Sequence, residues 1–194
     1  VYVEGTQAAG NRKIYLMNGN YNDTARKGLI EYDLGANATA TPADTGTQII
    51  GPTYWLANYY SYAMARDSSG NWYTAQFRYD PAQAPSITKF NGLGTVPLDD
   101  DVIWETAKVT PYNGAFCVDV NEDAGIVAYG NYYDGWVHIF SMADGSHLDG
   151  FDAGSRIREL AFDAAGNIVT VDISTEWARF WTPGGWWETE YGSD

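Results

Sequence analysis

The amino-acid sequence predicts an all-β protein: a β-propeller of four four-stranded antiparallel blades, either a complete four-bladed ring or part of a larger propeller. One observation is a recurring turn whose anchoring glycines are Gly10, Gly70, Gly125 and Gly166, so that successive copies stand 60, 55 and 41 residues apart. Repeats of about 40–50 residues built from short strands are typical of propeller blades. A second observation is that no segment sustains the i, i+3, i+4, i+7 spacing of an amphipathic helix.

Each repeat divides into four predicted strands, A to D in chain order. The first repeat gives VYVEG, KIYLMN, GLIEYDL and TQIIG, and the second gives SYAMARD, WYTAQF, SITKF and VIWETAKV. The third gives AFCVDV, IVAYGNY, WVHIFSM and a weak LDGFD, and the fourth gives IRELAFD, IVTVD, WARFW and WWETEY. The predicted blades therefore cover approximately residues 1–53, 54–110, 111–155 and 156–194.

The turn between strands A and B is the most regular part of the repeat. In the fourth repeat, Gly166 and Asn167 supply it, since both residue types tolerate positive φ. A β-sandwich has strands and turns of similar composition and is the alternative fold. The in-phase repetition of turn, B strand, loop and C strand favours the propeller.

Composition and charge narrow the classes of function. Hydrophobic residues make up 45% of the 194 residues and aromatic residues 15%, which excludes a disordered chain. A net charge of −14 with 11 scattered basic residues argues against a nucleic-acid partner. No apolar run approaches the roughly 20 residues of a membrane span. The start VYVEG carries neither an initiator Met nor a signal-peptide pattern, which predicts a mature or excised terminus.

The residues that most often carry catalysis are scarce. Cys117 lies in the apolar run AFCVDV and is predicted to be a buried, inert thiol. His138 alternates within WVHIFSM and is predicted to face solvent or a neighbouring blade. Because His147 is the second of two histidines and no G-x-S-x-G elbow occurs, neither a zinc site nor serine hydrolysis is supported. We predict no catalytic residue.

The A–B turn D-x-x-G-N, followed by an apolar B strand, resembles the blades of NHL-type and SMP-30-like propellers. More narrowly, AFDAAGNIVTVDISTEWARFWTPGG and WYTAQFRYDPAQAPSITKF resemble large secreted propeller proteins of Verrucomicrobia and Planctomycetes, which are mostly uncharacterised. The resemblance covers all four repeats. It implies a propeller fold and an exported bacterial protein, extracellular or periplasmic, and it specifies no chemistry.

The candidate binding site lies in the connecting loops. In a propeller, the B–C and D–A loops open on one face, and several of these loops here place a Tyr beside an Asp. The predicted rim comprises Tyr21, Asp23, Tyr54, Tyr79, Asp80, Tyr112, Tyr132, Tyr133, Asp134 and Asp172. Tyrosine rings can hold sugar rings or peptide side chains, and carboxylates can accept hydroxyl groups or a cation. The alternative is that each Asp caps its own loop and each Tyr packs between blades.

Two functions from different classes are predicted. The first is a non-catalytic binding or scaffold module that recognises a protein or glycan partner and needs no cofactor. The second, which the SMP-30-like resemblance implies, is a divalent-cation-dependent hydrolase or lactonase, with Ca²⁺ as a candidate ion. No residue set in the chain matches that family's ligands.

Trp186 and Trp187 are adjacent residues of the last predicted strand. Because adjacent residues of a strand face opposite sides of the sheet, one of the two rings must point toward a neighbour, which predicts a contact with another domain or subunit.

Overall fold

The computed structural model describes residues 1–18, 28–37, 46–51, 60–77, 86–96, 98–107, 114–182 and 187–191, with the backbone alone at 60–62, 76, 77, 99 and 187–191. These residues form sixteen strands in four sheets. Among the described residues, no helix has the length and apolar character needed to cross a membrane.

In each sheet the strands are antiparallel and follow one another in chain order. The first sheet contains β1 (Tyr2–Glu4), β2 (Arg12–Asn18), β3 (Gly28–Gly35) and β4 (Thr47–Ile50). The second contains β5 (Tyr60–Arg66), β6 (Trp72–Phe77), β7 (Ile87–Phe90) and β8 (Val102–Glu105). The third contains β9 (Ala115–Asn121), β10 (Ile126–Asn131), β11 (Trp136–Ser141) and β12 (His147–Asp152). The fourth contains β13 (Ile157–Phe162), β14 (Ile168–Asp172), β15 (Trp177–Thr182) and β16 (Trp187–Tyr191).

The sixteen strands are those that the alternation and turn residues predict, including the weak fourth strand of the third repeat, β12. Each sheet holds one complete repeat, with A, B, C and D as hydrogen-bonded neighbours. The described residues therefore form four four-stranded antiparallel blades of a β-propeller, and the β-sandwich alternative, with two facing sheets, is wrong. A short 3-10 turn at Leu98–Asp100 precedes β8.

Neighbouring blades pack face to face through apolar clusters, with their first strands side by side, β5 beside β9 and β9 beside β13. The cluster between blades 1 and 2 includes Tyr15, Leu29, Ile50, Trp72 and Phe90. The cluster between blades 2 and 3 includes Ala65, Tyr73, Val118, Tyr129 and Phe140. The cluster between blades 3 and 4 includes Cys117, Ala128, Ile139, Ile168 and Trp181. This arrangement makes strand A the innermost strand of blades 2, 3 and 4.

The A–B turn is held by an aspartate clamp. Asp163 Oδ1 accepts the backbone N–H of Asn167 at 2.9 Å, and Asp163 Oδ2 accepts the Asn167 side-chain amide at 2.8 Å. Gly166 takes the positive φ, +83°. The interpretation of Asn167 as a second positive-φ residue is therefore wrong. In the D-x-x-G-N turn, Asn167 donates two hydrogen bonds to Asp163. Asp67 and Asn71 make the same pair of bonds in blade 2.

The structure confirms the predictions for the thiol and for the strand histidine. Cys117 is 3% exposed, and burial raises the pKa of its thiol to about 12, so the reactive thiolate is disfavoured. His138 is buried in β11 and lies beside Tyr129, with their ring centroids 5.1 Å apart. Tyr129 belongs to the apolar cluster between blades 2 and 3, so His138 faces a neighbouring blade.

Candidate functional site

The described part of the predicted rim lies at the junction of blades 3 and 4. Tyr132, Tyr133 and Asp134 form the B–C loop of blade 3, and Asp172 ends β14 at the B–C loop of blade 4. The other rim positions lie outside the described residues: Tyr21, Asp23, Tyr54, Tyr79, Asp80 and Tyr112. Trp186 also lies outside them, and Trp187 is described only through the backbone of β16.

B–C and D–A loops meet at the same end of the sheets, as the propeller fold requires. The backbone N–H of Tyr132 donates to the carbonyl of Gly114 at 2.8 Å, which joins the B–C loop of blade 3 to the start of its strand A. In blade 4, the N–H of Ile173 donates to the carbonyl of Arg156 at 3.2 Å. The end of the sheets that carries these loops is called the loop face below.

Asp134 is occupied within its own loop. Its Oδ1 accepts the backbone N–H of Trp136 at 3.0 Å, and its Oδ2 accepts the Asn131 side-chain amide at 3.0 Å. Burial raises the pKa of Asp134, although the bond from Trp136 opposes the shift. The carboxylate therefore caps the turn that presents Tyr132 and Tyr133.

Asp172 has a similar structural place in blade 4. It is fully buried and accepts the backbone N–H groups of Ser174 at 2.7 Å and Ser155 at 2.9 Å. Burial by itself raises the pKa of Asp172, but bonds from several backbone N–H groups together outweigh it, and the pKa lies below its usual value. Asp172 thus ties the B–C loop to the D–A loop.

The aromatic part of the rim is presented more openly. The rings of Tyr132 and Tyr133 meet edge to face with centroids 5.7 Å apart, and Tyr133 is 40% exposed. Phe116, from the innermost strand, contacts Tyr132 in the same way, with centroids 5.0 Å apart. These three rings form a continuous aromatic surface on the loop face.

Two arginines from blade 4 stack on this aromatic surface. The Arg158 guanidinium carbon lies 4.1 Å from the centroid of Phe116, and that of Arg156 lies 5.4 Å from the centroid of Tyr132. Both arginines are exposed. Among the described residues, neither guanidinium has a carboxylate oxygen within 4.0 Å. We call Phe116, Tyr132, Tyr133, Arg156 and Arg158 the arginine–aromatic cluster.

Sequence reasoning missed Phe116, Arg156 and Arg158. Phe116 and Arg158 are the extra residues at β-bulges: β10 pairs with Ala115 and Cys117, and β14 pairs with Ile157 and Glu159. A bulge re-aims the side chain of its extra residue. Position 62 has the equivalent place in β5. The signal lay in the apolar spacing of strand A in blade 4, where Ile157 and Leu160 are three residues apart instead of two.

Two clefts open at the other end of the sheets, where the A–B turns lie. One, of about 710 Å³, is lined by the A–B turns of blades 3 and 4, but its Glu122 already accepts two hydrogen bonds from Ser68 of blade 2. The other, of about 560 Å³, lies between blades 1 and 2 and contains the ion pair of Arg66 with Glu4. Most of the charged groups in the two clefts bind within the chain, so the loop face is the better candidate site.

In the described part of the chain, no three His, Cys, Asp or Glu side chains are placed together to hold a metal ion. The cation-dependent hydrolase stays a sequence prediction. Of its four candidate carboxylates, Asp23 and Asp80 lie outside the described residues, and Asp134 and Asp172 accept backbone N–H groups.

No protein-family model matches the chain, and no curated protein sequence matches it. Solved structures do resemble it. A chain of the nidogen/laminin complex aligns with a TM-score of 0.64 and 12% identity over 92% of this chain and 60% of that one. A protein of unknown function from Bacteroides caccae aligns with a TM-score of 0.63 and 14% identity over 98% of this chain and 60% of its own.

A protein from Lactobacillus plantarum aligns with a TM-score of 0.65 and 16% identity over 95% of this chain and 53% of its own. At this level of identity, these likenesses support the propeller fold and no particular family. The chain spans 53–60% of the length of these three solved chains.

Proposed function

We propose that this propeller is a non-catalytic binding module that docks a partner protein on its loop face, at the junction of blades 3 and 4. The observation that carries the proposal is the arginine–aromatic cluster. Tyr133 is exposed, and Phe116 and Tyr132 are half-buried beneath the arginine side chains. Aromatic residues and arginines together are the composition that dominates binding energy at protein interfaces. We place the module in an exported protein, as the sequence resemblance implies.

The rigidity of the cluster supports the same function. Two aspartates fix its loops. Asp134 caps the loop that carries the two tyrosines, and Asp172 ties the D–A loop that carries Arg156 to the B–C loop of blade 4. A pre-organised surface loses less conformational entropy when a partner binds. One of the similar solved structures comes from a complex of two proteins, nidogen and laminin, which agrees with a docking role for the fold.

The proposal is tested with defined probes of every charge class: capped oligopeptides that are acidic, basic or neutral, and acidic and neutral oligosaccharides. Binding is measured by calorimetry and located by hydrogen exchange. Protection of residues 114–116, 131–136 and 154–158 by a peptide supports docking at this site. Protection confined to the A–B turns, or no binding by any probe, overturns it. Protection of the site by oligosaccharides alone overturns the choice of a protein partner.

A further inference from the structure

We infer that the docked partner contributes an acidic segment, whose Asp or Glu carboxylates bind the guanidinium groups of Arg156 and Arg158. This inference rests on the proposed function and specifies its ligand chemistry. The chain as a whole has a net charge of −14. Two neighbouring arginines therefore form a local positive patch on an otherwise negatively charged protein.

The two guanidinium groups are held in place by stacking. Each is positioned on an aromatic ring, Arg158 on Phe116 at 4.1 Å and Arg156 on Tyr132 at 5.4 Å. Stacking of this kind orients the planar guanidinium and leaves its N–H edge for hydrogen bonds. That edge matches a carboxylate in a bidentate pair, which is among the strongest hydrogen-bonded arrangements in proteins.

The carboxylates of the adjoining B–C loops do not neutralise the two arginines. Apart from Glu176, which forms no ion pair within 4.0 Å among the described residues, the acidic residues of the two adjoining B–C loops are Asp134 and Asp172, and both accept backbone N–H groups. Neither forms an ion pair with Arg156 or Arg158, in contrast to Arg66, which pairs with Glu4 at 2.5 Å. Within the described residues, the cationic pair of the loop face therefore has no carboxylate of its own.

The arrangement of the rings favours a polypeptide over a polysaccharide. Sugar rings bind proteins largely by lying flat on aromatic faces. Here Phe116 and Tyr132 each carry a guanidinium over the ring, and they contact each other edge to face. The cluster therefore offers N–H donors more than open aromatic platforms, which favours carboxylates on flexible side chains over a sugar chain.

The experiment measures the affinity of the full chain for a capped oligoglutamate peptide, with oligolysine and oligogalacturonate as comparison probes. Arg156→Gln and Arg158→Gln each remove one charge from the cluster. Lys13→Gln is the matched control, because it removes one charge at the distant pair with Glu31. Each loss of a bidentate pair is expected to weaken oligoglutamate binding about tenfold or more. Lys13→Gln should leave the affinity within about twofold, since a distant charge is screened.

Arg158→Lys keeps the charge but loses the planar fork, so an intermediate affinity is expected. This variant also carries the test if Arg158→Gln does not fold. Equal losses in all three charge-removing variants would overturn the inference, because they would reflect net charge alone. Binding of oligogalacturonate without oligoglutamate would assign the site to an acidic polysaccharide instead. A neutral or basic peptide that protects the loop face while oligoglutamate does not bind would sustain docking and overturn the acidic partner.

Discussion

The guanidinium carbon of Arg158 lies 4.1 Å from the ring centroid of Phe116, and this contact joins the innermost strands of two neighbouring blades. Both residues are the extra residues of β-bulges at equivalent places in their blades. The repeat of the backbone irregularity therefore brings together two side chains that are far apart in sequence. At the interface between blades 3 and 4, this contact holds the Arg158 guanidinium over an aromatic ring.

Phe116→Leu tests whether this stacking matters for binding. Leucine keeps apolar volume but removes the ring, so the free energy of unfolding should fall by only about 1 kcal/mol. The Arg158 guanidinium then loses its fixed orientation, and oligoglutamate should bind a few-fold more weakly. Calorimetry at equal ionic strength measures the change. An unchanged affinity would show that the ring does not position the arginine.

Replacing Tyr133 and Asp134 one at a time separates the surface from its support. Tyr133 is 40% exposed, so Tyr133→Ala should change stability little while it weakens docking on the loop face. Asp134→Ala removes the acceptor for Trp136 N–H and Asn131 Nδ2, and should lower the free energy of unfolding by about 1–2 kcal/mol. Urea denaturation measures both variants. A larger stability loss for Tyr133→Ala than for Asp134→Ala would contradict these assignments.

The aspartate clamp of blade 2 is expected to stabilise the fold strongly. Asp67 is buried and accepts hydrogen bonds from the backbone and side chain of Asn71 and from the Tyr73 hydroxyl. Asp67→Ala leaves that hydroxyl and the amide without this acceptor, and should lower the free energy of unfolding by about 2–4 kcal/mol. Asp163→Ala, at the more open clamp of blade 4, is the comparison. A smaller loss for Asp67→Ala than for Asp163→Ala would refute the argument from burial.

Two substitutions that should change the free energy of unfolding in opposite directions test the backbone conformation of blade 4. Glu176 has a φ of +61°, which is strained for a residue with a Cβ. Glu176→Gly should therefore raise the free energy of unfolding by about 0.5–1 kcal/mol. Gly166→Ala, at a φ of +83°, should lower it by about 1–2 kcal/mol. Thermal melts of both variants measure these shifts, and a destabilised Glu176→Gly protein would contradict the assigned strain.

His138 predicts an acid-dependent loss of stability. Burial, with a smaller effect of the nearby His147, lowers the pKa of His138 from 6.5 to about 4. The unfolded chain therefore binds the proton first as the pH falls. The contribution of neutral His138 to the free energy of unfolding is complete above pH 6.5. It falls as the pH decreases to about 4, by at most about 1.4 kcal/mol per pH unit. Below that range, both states are protonated and this loss stops.

Urea denaturation across this pH range measures the slope for the native protein and for His138→Gln. The variant has no imidazole, so its slope should be shallower, and the remaining slope belongs to the carboxylates. Equal slopes in the two proteins would show that His138 keeps an ordinary pKa in the folded state.

Much of the blade could be read from local pattern. The alternation of apolar residues predicted every strand, including β12, whose LDGFD pattern is weak, because one face of each strand must pack on a neighbouring blade. The D-x-x-G-N pattern predicts the position of the turn correctly, but it does not predict that Asn167 donates hydrogen bonds to Asp163. A hydrogen bond from a side chain to Asp163 Oδ2 is invisible in a pattern of turn propensities.

The predicted rim shows that the residue pattern of a loop does not determine which side chains remain available for a partner. The recurrence of Tyr and Asp in the B–C loops predicts Tyr132, Tyr133, Asp134 and Asp172 as members of one binding rim. The structure places the two aspartates in capping bonds to the backbone, the alternative that the sequence left open. Loop sequences state which groups are present, whereas the loop geometry decides which of them are consumed by backbone N–H groups.

By itself, the sequence determined the strand content, the repeat and the burial of Cys117, because these follow from apolar periodicity and turn residues within a few positions of each other. Only the tertiary structure decided that Arg156 and Arg158 stack on Tyr132 and Phe116. That arrangement depends on two bulges and on the packing of blade 4 against blade 3. Contacts of this kind are set by strand register and by how the blades are arranged in space, which no local periodicity encodes.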